Sequence, residues 1–153
     1  MPIASEQIVA QARTWLKTPF HHQGRLKHKG VDCIGLVVGV MKELELSDNT
    51  GQLLSSYDVS GYSVTPDGYS LKAALDKHFQ IVAIDEICPA DILLFRFNKN
   101  PQHVGFVTDR ADGALGILHC YSTSHYVVEH ILDKSWHRLI VSAYRFKSEH
   151  LNK

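Results

Sequence analysis

Hydrophobic residues change their period near the middle of this chain, and that change limits the fold more than any other feature. Before residue 80 the apolar positions recur at helical spacing. Ile8, Val9, Ala12, Trp15 and Leu16 form one face of a first helix, with Ser5 placed to cap it and Thr18-Pro19 to end it. Ile34, Leu36, Val37, Val38, Val40, Met41 and Leu44 cover most of the circumference of a second helix, residues 33–46, which predicts a central, buried position. Gly35 and Gly39 share a face of it and predict close approach of a sheet. Leu71, Ala74, Leu75, His78 and Phe79 give a short third helix. After residue 80 the pattern is that of strands, at 81–84, 91–97, 103–108, 116–121, 126–129 and 139–146, all rich in β-branched and aromatic residues. Helices first and strands later predict an α+β fold, with an antiparallel sheet packed on the second helix.

Length and charge narrow the function. The 153 residues suit a single domain spanning the whole chain. Lys+Arg and Asp+Glu stand at 16 each, so no basic stripe points to nucleic acid. No apolar stretch approaches the roughly 18 residues of a membrane span. The first twenty residues lack the basic head and apolar run of a signal peptide, so the expected site of synthesis and folding is the cytoplasm. Three cysteines without paired spacing do not make a disulfide framework. The polar stretch 20–30 reads as a loop, and the long connection 47–68 is expected to shape a cleft.

The chemistry is carried by Asp32-Cys33-Ile34-Gly35-Leu36-Val37, then by His103-Val104-Gly105-Phe106 seventy residues later, then by His119. Cys33 opens a helix, where the helix N-terminus favours a thiolate. Alternation along the strands places His103 and Gly105 on one face, and a hairpin through Asp112-Gly113 sets His103 and His119 side by side. In this reading Cys33 is the nucleophile, His103 accepts its proton, and His119 orients His103. The backbone N–H of Cys33 is a natural oxyanion donor. Cys88 and Cys120 read as structural thiols, and Cys120 should face away from His119. His21, His22 and His28 lack a fixed secondary structure and read as a solvated loop rather than a metal site, with His22 a candidate to line the cleft. His125, His130 and His137 read as surface or packing residues.

These motifs resemble the NlpC-type family of papain-like cysteine peptidases, which cut peptide stems of the bacterial cell wall. The family pattern is a Thr-Pro-Tyr loop, Asp-Cys-Ser-Gly-Leu-Val, a Gly-Asp strand start, His-Val-Gly and a final polar residue, commonly His. Here the matches are Thr18-Pro19-Phe20, Asp32-Cys33-Ile34-Gly35-Leu36-Val37, Ala90-Asp91, His103-Val104-Gly105 and His119. His22-Gln23-Gly24-Arg25, Val127-Val128-Glu129-His130, Trp136 and Ala143-Tyr144-Arg145-Phe146 resemble the phage and prophage branch. The resemblance implies a papain-like hydrolase of murein stem peptides, needing no metal or organic cofactor, with phage tail proteins as partners and the wall as its place of action. It also implies substrate contacts at Asp32, Phe20 and Ile34. In members that need a free N-terminal L-Ala, the tyrosine hydroxyl, the aspartate and the serine help bind the amine. Phe20 and Ile34 lack those hydroxyls, so selectivity for the amine should be weak. Ala90 in place of glycine is expected to be harmless. Two other readings share the scaffold: a tail-assembly or adaptor module without useful turnover, and a thiol acyltransferase.

Overall fold

The computed structural model describes residues 2–58, 70–98 and 101–151. Helix α1 (Ser5–Arg13) buries Ile8, Val9 and Ala12. It begins one residue earlier than the Ser5 cap predicts: Ala4 is the cap position, and its N–H donates to Gln7 Oε1 at 2.7 Å. A small antiparallel pair follows, β1 (Arg25–Leu26) with β2 (Gly30–Val31). Helix α2 (Cys33–Glu43) is the central one, with Leu36, Val37, Val40 and Met41 buried. The glycines on it make room for something other than a sheet. A Cβ at Gly39 would strike the Trp15 indole, and one at Gly35 would strike the carbonyl of Gly24. The close approach is by the end of the α1 segment and by the loop before β1. Helix α3 (Ser70–His78) matches the third predicted helix, beginning one residue before Leu71 and ending one before Phe79. The connection expected over 47–68 is described only as far as residue 58, where Asp48 gathers the N–H groups of Thr50 and Gln52 and the Tyr57 hydroxyl.

The sheet has six strands, β3 (Gln80–Val82), β4 (Ile92–Arg96), β5 (Pro101–Asp109), β6 (Leu115–His119), β7 (Val128–Ile131) and β8 (Ile140–Arg145). All pairs are antiparallel, in the order β3-β8-β4-β5-β6-β7. Its two faces are both covered, which explains the unbroken apolar run Ile92–Phe95. One face, with Ile92, Leu94, Val104, Phe106, Leu118 and Cys120, packs on the apolar faces of α1 and α2. The other, with Leu93, Phe95, Val107 and Ile117, is covered by Trp136 of the short helix α4 (Lys134–His137) and its neighbours. A last turn, α5 (Ser148–Leu151), returns to the start of the chain, where Ile3 N–H donates to the Leu151 carbonyl at 2.6 Å.

Ala90 carries a cost that the sequence does not reveal. It is buried at the turn into β4 with φ +80°, in the left-handed region. A Cβ there costs about 1–2 kcal/mol, partly offset by the smaller unfolded-state entropy of alanine. Ala90→Gly should therefore raise the unfolding free energy by about 0.5–1 kcal/mol in urea titration; a loss of stability would mean that the methyl group's packing outweighs the backbone strain. The neighbouring Asp91 is buried and pins β4 to β8 through a two-pronged pair with Arg145, at 2.9 Å to each oxygen.

Candidate active site

Asp32 and Cys33 are placed by the start of α2. Asp32 is the N-cap, and its Oδ1 accepts from the Gly35 N–H at 2.8 Å. The same oxygen accepts from Arg25 Nη1 at 3.1 Å, while Oδ2 accepts from the Gln23 N–H at 2.8 Å. Arg25 also reaches Asp58, at 2.8 and 3.0 Å. Thus the buried carboxylate ties the polar loop to the helix start, and both of its oxygens carry bonds from the chain itself.

The Cys33 sulfur lies at the edge of β5. Its thiol donates to the Gln102 carbonyl at 3.9 Å, and the Val104 N–H points at it. Those two backbone groups face the β6 side of the strand, because the Val107 N–H, odd-numbered, bonds the Asp91 carbonyl on the β4 side. The β5–β6 ladder ends at Gly105 opposite His119, so the sulfur fills the notch that β6 leaves. Burial pushes the thiol up to about 12 and the Asp32 charge adds to this, while the N–H groups of Val104, Ile34 and Cys33 pull the other way. The resting sulfur is a neutral thiol.

The two histidines lie on the sheet face opposite the α2 core. His103 is 2% exposed and His119 is fully buried. They sit diagonally on adjacent strands, with His103 Nε2 2.7 Å from His119 Nδ1. Phe97 stacks on His103 at 5.1 Å, and Trp136 meets His119 edge-on at 4.7 Å. Tyr121 flanks both rings. This apolar wall pushes His103 down to about 3 by burial. His119 is pushed to about 2, by burial first and then by the neighbouring histidines. Both rings are therefore neutral bases at pH 7.

That burial sets an acid limit on stability. Unfolded histidine takes a proton near pH 6.5, whereas these two resist it until about 3 and 2. The unfolded chain thus binds more protons in the window between, and the stability present above pH 6.5 is lost as pH falls through it. The slope is about 1.4 kcal/mol per pH unit for each histidine. Urea titrations from pH 7 to 4.5 should show His119→Asn losing stability less steeply than the unaltered protein, by roughly that one-histidine slope. Parallel curves would contradict the buried, neutral assignment.

The remaining sequence candidates occupy the surroundings. Phe20 bridges to Val31, its N–H donates to the His125 carbonyl at 2.8 Å, and its ring packs on the core. Ile34 is half-buried in the first turn of α2, and His22 is half-buried in the loop before β1. His21, His22 and His28 do not converge: among the described residues no group of three His, Cys, Asp or Glu is arranged to hold a metal ion. Cys120 is buried on the α2 face, its thiol donating to the Val31 carbonyl at 3.5 Å. Cys88 is exposed, with Arg145 Nη2 donating to its sulfur at 3.0 Å. The sequence reads His130 as a surface or packing residue and gives it no part in the site, yet its Nε2 is 2.8 Å from His119 Nε2. The one signal was its position in the Val127-Val128-Glu129-His130 segment; the register that turns it toward His119 is a long-range property.

A cysteine at the start of a buried helix, with paired histidines on adjacent strands of an antiparallel sheet, defines a papain-like arrangement. The chain belongs to the NlpC/P60 family, whose model matches residues 17–145. Among solved structures it is similar to the NlpC/p60 domain of the peptidoglycan hydrolase SagA, at 15% identity and TM-score 0.63, covering 94% of this chain and 100% of that one. It is also similar to NlpC2 from Trichomonas vaginalis, at 15% identity and TM-score 0.62, covering 93% of this chain and 46% of that one. An N-acetylmuramoyl-L-alanine amidase from Bacteroides uniformis shares 13% identity and TM-score 0.52, with 92% and 96% covered. At these identities the likeness is one of fold. No curated protein matches the chain.

Proposed function

We propose that this chain is a cysteine peptidase that hydrolyses amide bonds in the stem peptides of bacterial cell wall. Cys33 is the nucleophile, His103 the general base and then acid, and His119 the residue that orients His103. The observation that carries the reading is the 2.7 Å bond between His103 Nε2 and His119 Nδ1, which leaves the other ring nitrogen of His103 for a thiol proton. Family membership supports the substrate class, as do neighbours described as a peptidoglycan hydrolase and a muramoyl-alanine amidase. The thiol proton passes to His103 Nδ1 as sulfur adds to the amide carbonyl. The Cys33 N–H stabilises the resulting oxyanion. The amine leaves with the proton from His103, giving a thioester. Water then loses a proton to His103 as its oxygen attacks, and the carboxylate departs as the thiol is restored. The γ-D-glutamyl to diamino-acid bond is the favoured target. The phage-branch motifs around His22 and Trp136 favour a tail-borne enzyme that cuts the wall locally during infection.

Incubating the protein with defined muropeptides and reading the products by mass spectrometry tests this. New amino and carboxyl termini within the stem are expected; cleavage in the glycan, or none with any stem, overturns the reading. The saturated Asp32 adds a specificity. Arg25 already supplies its cation, and Phe20 and Ile34 offer no hydroxyl, so a free N-terminal ammonium should gain little. Free and N-acetylated stem peptides should be cut with kcat/KM within about tenfold, since a lost bond of that kind is worth about 0.5–1.5 kcal/mol. A hundredfold preference for the free amine would show that Asp32 changes partners on binding.

A further inference from the structure

The histidine chain does not end at His119. His119 Nε2 is 2.8 Å from His130 Nε2, and His130 Nδ1 is 2.9 Å from the Ile131 carbonyl oxygen. His130 stands on β7, the outermost strand, opposite Ile117 and thus on the face that carries His119 and His103. The Leu132 N–H bonds the Leu115 carbonyl of β6, so the carbonyl of Ile131 points the other way, to the open edge, where the His130 ring meets it. Three imidazoles in series have an undefined polarity unless one end is fixed. Here one end is a carbonyl oxygen, which only accepts.

From that end the protons follow one order. His130 Nδ1 donates to the Ile131 carbonyl, which leaves its Nε2 bare. His119 then donates from Nε2 to His130 and has a bare Nδ1. His103 donates from Nε2 to His119, and its own Nδ1 is bare. We propose that His130 is a positioning residue that, through the Ile131 carbonyl, holds His103 in the Nε2–H tautomer, the neutral form whose Nδ1 takes the Cys33 proton. A group with donors alone at position 130 reverses every bond in the series and puts the proton on His103 Nδ1, where it blocks transfer from sulfur. In a serine triad the wrong tautomer of the catalytic histidine lowers kcat by about 10⁴.

The assignment of His103 as base rests on the function proposed above, but the tautomer can be read in the resting protein without substrate. Three substitutions separate polarity from packing: His130→Gln keeps an acceptor, His130→Leu has neither donor nor acceptor, and His130→Lys has only donors. NMR of ring-¹⁵N-labelled histidine should show His103 with bare Nδ1 in the unaltered protein and in His130→Gln. It should show mixed tautomers in His130→Leu, and a protonated Nδ1 in His130→Lys. Turnover of stem peptide should follow the same order, with kcat near normal for Gln, about tenfold lower for Leu and at least about 100-fold lower for Lys, while KM stays within twofold. Far-UV circular dichroism checks that each variant is folded. A protonated His103 Nδ1 in the unaltered protein overturns the proposal, as does an unchanged His103 tautomer in folded His130→Lys. If no stem peptide is cut by the unaltered protein, the proposed function fails while the tautomer series still decides the relay.

Discussion

Replacing Cys33 by Ala is expected to abolish stem-peptide hydrolysis while leaving the fold intact. Removing the nucleophile of a hydrolase that works through an acyl intermediate costs on the order of 10⁶ in kcat. The structural loss is small, because the bond that the thiol donates is long, 3.9 Å to the Gln102 carbonyl, and Ala is a good helix former in the first turn of α2. The thermal midpoint should move by no more than a few degrees. Cys88→Ala is the matched control, since that exposed thiol lies at the Asp91–Arg145 pair and should leave turnover unchanged. Equal activity in Cys33→Ala and the unaltered protein would remove Cys33 from the chemistry.

His103→Ala should be nearly as severe and should carry its own pH signature. With the thiol pushed up to about 12 and the imidazole down to about 3, the neutral pair dominates across the working range. The unaltered protein should therefore show a nearly flat kcat/KM between pH 6 and 9. Without His103, reaction must await spontaneous thiolate, about one molecule in 10⁵ at pH 7 for a thiol of that acidity. Loss of the proton donor to the leaving amine adds to this. The expected fall is at least about 10⁵ at pH 7, with recovery of about tenfold per pH unit as the medium grows more basic, because deprotonation rises in that direction. A flat, low profile in His103→Ala would show that His103 acts in some step other than taking the thiol proton.

The helix-then-strand order, and so the α+β class, was legible in apolar periodicity, because helix α2 is apolar on nearly every side and strands β4 to β8 are β-branched and aromatic. What sequence left hidden was set by contacts distant along the chain. Gly35 and Gly39 announced a close approach, but the partners were Gly24 and Trp15 rather than a sheet. Ala90 looked neutral because composition does not report a φ of +80°. His103 and His119 were paired by alternation and one hairpin turn, which are local. His130 was missed because its partner depends on the register between β6 and β7, across the connection that holds the 3₁₀ turn Ser122–Ser124. Asp32 read as a substrate or structural contact; the structure uses it as the N-cap of α2.

The central claim is that Cys33 sulfur becomes acylated, and partition of that acyl group tests it most directly. The protein is mixed with a stem peptide in the presence of increasing hydroxylamine, and the acyl product is identified by mass spectrometry. A thioester predicts a hydroxamate that replaces the carboxylic acid in proportion to hydroxylamine, with no hydroxamate formed by Cys33→Ala. Carboxylic acid as the sole product at every hydroxylamine concentration would mean that water attacks the amide directly, and would contradict the account.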